Sequence, residues 1–133
     1  MSYKAQTIAR TVGKLNVDYF LPAIQREFVW KQDQVVRLFD SVLRGYPISS
    51  FLFWELRAEN RGKWQAYEFL RGVHSDGSRN DLANTDGVKD LHLILDGQQR
   101  LTSLNVGLRG YYTLRPKYAR RANKDSQTHL KLY

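Results

Sequence analysis

The chain has no cysteine, only three prolines and one methionine among its 133 residues. Without a thiol, disulfides and thiolate metal centres are excluded. No stretch approaches the ~18 consecutive apolar residues that cross a bilayer. The N-terminal "MSYKAQTIARTVGKLN" lacks the apolar core of a secretory signal. These absences predict a soluble protein of the reducing cytoplasm, with no membrane partner. Acidic residues are also scarce beside basic ones, 13 against 21, for a net charge of +8.

That excess is uneven. Residues 109–133 carry 7 basic and 1 acidic side chain, net +6, whereas residues 1–108 are close to balanced at net +2. The segment "RGYYTLRPKYARRANKDSQTHLKLY" is basic and rich in tyrosine, which suits a polyanion such as DNA. A solubilising surface is the plainer alternative. Stacking on bases by Tyr111, Tyr112 and Tyr118 competes with ordinary core filling.

The rest of the composition is that of a folded domain: 42% hydrophobic, 26% charged, with 3 Trp, 8 Tyr and 6 Phe. The length fits one domain over residues 1–133. Its final "HLKLY" alternates like a strand with no tail after it, which suggests truncation at that end.

Periodicity gives a mixed α/β (α+β) chain. Ile8, Val12 and Leu15 are spaced for a short amphipathic helix. "VDYFLPAIQREFVW" turns extended, because Pro22 biases Leu21 away from the helical region. "KQDQVVRLFDSVLRGYP" is the clearest helix, with Val35, Leu38, Phe39, Val42 and Leu43 as its apolar stripe and Gly45 and Pro47 as its stop. "ISSFLFWEL" reads as a buried strand, "RAENRGKW" as a polar turn and "WQAYEFLRGV" as a further strand. "HSDGSRNDLANTDGVKD" has no period and reads as an exposed loop. "LHLILD" is a strand, "QQRLTSLNVGL" a helix with Leu101, Leu104 and Leu108 on one face, and "YYTLR" a short strand.

The corner between that strand and helix, Asp96-Gly97-Gln98-Gln99-Arg100, raises the functional question. Asp96 as N-cap would put Gln99 at N3, a D-x-x-Q capping box, with Gly97 allowing the sharp turn. Arg100 is then unexplained, and it opposes the helix dipole. A helix start also binds anions through its free N–H groups. Gly97 would admit a phosphate closely, Arg100 would offer a planar fork, and the amides of Gln98 and Gln99 could donate or orient a water. Asp96 would ligate a Mg²⁺ arriving with a nucleotide. Upstream, Gln25 and Arg26 sit in the apolar stretch "LPAIQREFVW" and could converge on the same anion.

Three blocks, "LPAIQREFVW", "LFDSVLRGYPISSFLFWEL" and "LILDGQQRLTSL", in this order, resemble the N-terminal domain of GmrSD-type proteins, a bacterial family with a ParB/sulfiredoxin-like fold. The resemblance spans roughly residues 7–108, and residues 56–90 carry none of its motifs. It implies a small mixed sheet with flanking helices, and an NTP site at the corner. Asp96, Gly97, Gln98, Gln99 and Arg100 match the DGQQR motif tied to NTP binding and hydrolysis, and Gln25 and Arg26 match the upstream block. Relatives often carry an HNH-type nuclease domain and act in restriction of modified phage DNA. No such pattern surrounds the scattered His74, His92 and His129, so nuclease chemistry is assigned to no residue here.

Three functions follow as expectations. One is an NTP-hydrolysing domain: Arg100 stabilises phosphate charge, Asp96 holds Mg²⁺, Gln98 or Gln99 positions the water, and Gly97, Gln25 and Arg26 bind the nucleotide. Another is a non-catalytic DNA-binding or sensor module using Arg115, Lys117, Arg120 and Arg121, which steep salt dependence would reveal. A third is an assembly domain presenting Trp54 or Trp64, both of which are expected to pack inside.

Overall fold

A computed structural model describes residues 3–24, 27–74, 79–114 and 128–130. The chain begins with helix α1 (Ile8–Lys14), capped by the Thr7 hydroxyl accepting from the Arg10 N–H at 3.2 Å. Strand β1 (Tyr19–Pro22) follows, buried along its whole length. Helix α2 (Gln32–Leu43) comes next, then strand β2 (Leu52–Glu55). The expected polar turn is a 3-10 helix at Ala58–Lys63. The expected strand at 64–73 is two pieces, β3 (Ala66–Tyr67) and β4 (Gly72–His74). Strand β5 (His92–Asp96) leads into helix α3 (Gln98–Arg109), then β6 (Tyr111–Leu114) and β7 (Thr128–Leu130).

The mixed α/β class is as expected. Among the described residues the main sheet has the order β2-β5-β1-β3. Its two central strands, β1 and β5, are parallel, with Tyr19 opposite His92 and Phe20 opposite Leu93. The outer strands run antiparallel to them. A smaller sheet has the order β4-β6-β7. The loop at 79–90 is mostly irregular, but Leu82 bridges Tyr67 and tacks it to β3.

Burial explains why these segments take these positions. Leu93 and Ile94 are fully enclosed, as central-strand residues should be. The main core gathers Val12, Leu15, Tyr19, Leu21, Leu38, Phe39, Phe69, Ile94, Leu101 and Leu104. Helix α3 runs through the middle of the molecule, with Leu101 to Val106 all buried. Its polar residues are therefore satisfied internally: Asn105 Nδ2 donates to the Leu70 carbonyl at 2.8 Å, and Ser103 Oγ to the Gln99 carbonyl at 2.8 Å.

Helix α2 ends as its sequence implies. Gly45 takes φ 74, its N–H bonds the Val42 carbonyl, and the Tyr46 N–H bonds the Ser41 carbonyl. This pair of bonds is the Schellman arrangement that a left-handed residue permits.

Three packing expectations are corrected. Leu43 is 86% exposed and Leu108 53% exposed, because each lies at the end of its helix, beyond the packed turns. Strand β2 is an edge strand rather than a buried one, and Leu52 is 40% exposed. Trp64 is 47% exposed, its ring edge-on to Trp54 at 5.1 Å, while Trp54 packs on the Phe20–Leu91 cluster.

Candidate functional site

The parallel pairing of β1 and β5 puts their carboxyl ends at the same end of the sheet. In α/β architectures that end is where ligands bind. Here it holds the Asp96–Arg100 corner. Asp96 closes β5, and Gly97 turns the chain with φ 89 and ψ 14. A side chain at Gly97 would meet the Phe51 ring, with Cδ1 2.2 Å from an ideal Cβ. Both the left-handed φ and the close ring require glycine.

This geometry corrects the expected capping box. The N-cap is Gly97, not Asp96, and no side chain caps α3. The Asp96 carboxylate accepts from the adjacent Gly97 N–H at 2.9 Å and stays exposed. The first backbone bond into the helix runs from the Leu101 N–H to the Gly97 carbonyl at 3.0 Å. The N–H groups of the first turn of α3 have no side-chain cap, and the Asp96 carboxylate on the Gly97 N–H is the negative charge beside them.

The three polar side chains that follow do different things. Gln98 Nε2 donates back to the Ile94 carbonyl at 2.9 Å, which leaves its Oε1 available to a ligand or water. Gln99 reaches across to another segment: its Oε1 accepts from the Val29 N–H and its Nε2 donates to the Glu27 carbonyl, both at 3.1 Å. Arg100 donates through Nη1 to the Ile48 carbonyl and through Nη2 to the Ser50 carbonyl, the latter at 3.0 Å. Its guanidinium lies 4.6 Å from the Phe51 ring centroid. The two carbonyls flank Ser49, a non-glycine residue at φ 76. Arg100 thus holds a left-handed bend that would otherwise be unfavourable. That structural duty was invisible in the sequence, because the partners lie 50 and 52 positions away.

Beside the corner is a cavity of about 490 Å³. Among the described residues it is lined by Ile24, Trp30, Leu95, Asp96, Gly97, Gln98, Gln99 and Arg100. The volume lies within the roughly 300–1,000 Å³ typical of small-molecule sites. The lining mixes three apolar residues with the residues that begin α3, among them one acidic and one basic residue. Among the described residues Asp96 is the only carboxylate in the lining. Among the described residues no group of three or more His, Asp or Glu could hold a metal. This donor set fits a Mg²⁺ that arrives on phosphate oxygens, which needs one or two carboxylates, rather than a resident ion in an all-protein cage.

The model of the GmrSD restriction endonuclease N-terminal domain matches residues 8–132. The chain belongs to that family. It is also similar to an uncharacterized protein of Methanocaldococcus jannaschii, 38% identical over 84 residues. The match takes in 63% of this chain but 13% of the archaeal protein, so the chain spans a small part of that relative's length.

In this GmrSD-family domain the other expected site residues are distributed as follows. Gln25 and Arg26 lie outside the described residues, directly after Ile24 of the cavity wall in sequence. Arg115, Lys117, Arg120 and Arg121 also lie outside them. His92 is a structural strand residue: its ring is edge-on to Tyr19 at 5.7 Å, and Nδ1 is 3.0 Å from the Asp90 carbonyl. Trp30 was not anticipated at the site. Its signal was the alternation in "EFVW", which sends Phe28 and Trp30 inward while Glu27 and Val29 stay exposed. No helix among the described residues is long and apolar enough to cross a membrane.

Proposed function

We propose that the corner binds a nucleoside triphosphate with Mg²⁺ and hydrolyses it, as the nucleotide-dependent domain of a restriction protein that defends against phage DNA. The observation that carries this reading is the cavity at the start of α3, whose lining mixes apolar residues with Asp96 and Arg100. Phosphates fit the helix start, and a base fits against Trp30, the half-buried aromatic of the lining.

The residues then take separate roles. Gly97 makes the turn that brings the start of α3 to the cavity. Asp96 would hold a Mg²⁺, which would supply positive charge to the phosphates. Arg100, fixed by the Ile48 and Ser50 carbonyls, supplies positive charge to the phosphates as negative charge shifts in the transition state. Gln98, whose Oε1 accepts no hydrogen bond among the described residues, orients the attacking water. Gln25 and Arg26 extend the nucleotide contact. DNA cleavage is left to an HNH-type nuclease domain or partner. The reading puts the protein in the cytoplasm, where NTPs and DNA are both present.

Phosphate release from each Mg²⁺-NTP by the intact protein tests the proposal, with Gln98→Ala and Asp96→Ala as controls. Turnover that falls at least about tenfold in both variants supports it. Turnover unaffected by either variant refutes the assignment.

A second reading rests on the net +6 of residues 109–133. In it the segment contacts DNA without turnover, through Arg115, Lys117, Arg120 and Arg121. DNA affinity that falls steeply with salt, and less steeply once those four are neutralised, supports it.

A further inference from the structure

Gln99 lines the cavity, yet neither polar atom of its side chain is free. Its amide substitutes for the peptide of a neighbouring strand, accepting from Val29 and donating to Glu27. These partners lie 70 and 72 positions away in sequence. The stretch they belong to is held in two other places. Phe28 packs on Leu70, Val73 and Val106, and Trp30 packs on the main core. Gln99 itself sits on a stiff turn, because the fully buried Ser103 hydroxyl bonds its carbonyl at 2.8 Å.

We propose that Gln99 is a positioning residue: it latches residues 27–30 to the first turn of α3 and so sets the distance between Trp30 and the phosphate-binding end of the cavity. It does not orient the attacking water. The aromatic anchors decide that the segment lies near α3, and the amide pair decides where. Both latch bonds are in exposed positions, where water competes for them. The latch is therefore weak enough to open and close without unfolding the core. The part of the proposal that concerns ligand affinity rests on the nucleotide reading above.

The test uses the whole chain and two readouts. Amide hydrogen exchange at Val29 reports the latch directly. In Gln99→Ala it should rise roughly tenfold, and in Gln98→Ala it should not change. Titration with Mg²⁺-NTP reports the consequence. Gln99→Ala should raise the half-saturating concentration roughly tenfold and leave turnover at saturation within about threefold. Gln99→Glu keeps the size and the acceptor but loses the donor, so its Val29 exchange should fall between wild type and Gln99→Ala. Should Gln99→Ala fail to fold, this variant carries both readouts. Unchanged Val29 exchange in the Gln99 variants overturns the latch. Lost turnover at unchanged half-saturation overturns it in favour of water orientation. A wild-type protein indifferent to every nucleotide overturns the nucleotide reading, and the exchange arm still decides whether Gln99 is a latch.

Discussion

Gly97 faces Phe51 so closely that a methyl group on its Cα would lie 2.2 Å from the ring's Cδ1. The same residue holds φ 89. Gly97→Ala therefore meets a left-handed backbone cost and a steric one together. It should destabilise the domain by about 2–4 kcal/mol in a denaturant titration. Phe51→Ala removes the clash but not the backbone cost. The double variant should accordingly lose less stability than the two single losses combined, and strict additivity would show that the ring is not the obstacle.

Arg100, which the capping box left unexplained, has contacts that bear on stability. Its fork bonds two carbonyls around the strained Ser49 and covers Phe51. Arg100→Ala should cost about 1–3 kcal/mol in the ligand-free protein. At this chain length that lowers the melting temperature by about 3–15 °C. Arg100→Lys restores the charge but not the fork, so it should recover less than half of the loss. A melting temperature within a degree of wild type for Arg100→Ala would contradict the bracing role.

Asn105 is 2% exposed, and its donor to the Leu70 carbonyl links α3 to the loop before β4. Asn105→Ala should cost about 1–3 kcal/mol, since it leaves that carbonyl without its partner. Asn105→Asp should cost more, because it buries an acceptor against an acceptor. Chemical denaturation of the three proteins gives the order. Equal stability of Asp and Ala variants would contradict it.

Local chemistry was legible in the sequence wherever the cause lay within a few residues. The α2 stripe, its stop at Gly45, the β5 strand and the turn at Gly97 all follow from spacing and residue type. The cap was misplaced by one residue. Asp96 and Gly97 can each begin a helix, and the left-handed φ of Gly97 moves the start forward. Gln99 becomes the second helical residue rather than the third, which sends its amide to residues 27–29 instead of back to Asp96. The partners of Gln99 and Arg100 lie at least 50 positions away, where periodicity carries no information. The edge position of β2 was hidden for a related reason. Apolar density reports how much surface a strand can bury, not which neighbour covers it.

Thermal melting with and without Mg²⁺-NTP tests most directly whether the corner holds a nucleotide. Asp96 is the cleanest probe there: it is exposed, and among the described residues it bonds only its neighbour's N–H. Asp96→Ala should leave the ligand-free melting temperature nearly unchanged, within ~0.5 kcal/mol. At about 100 times the dissociation constant, wild type should gain ~2.7 kcal/mol from at least one Mg²⁺-NTP. Asp96→Ala should lose most of that gain. Wild type that melts at the same temperature with every NTP, or an Asp96→Ala variant stabilised as fully as wild type, would contradict the account.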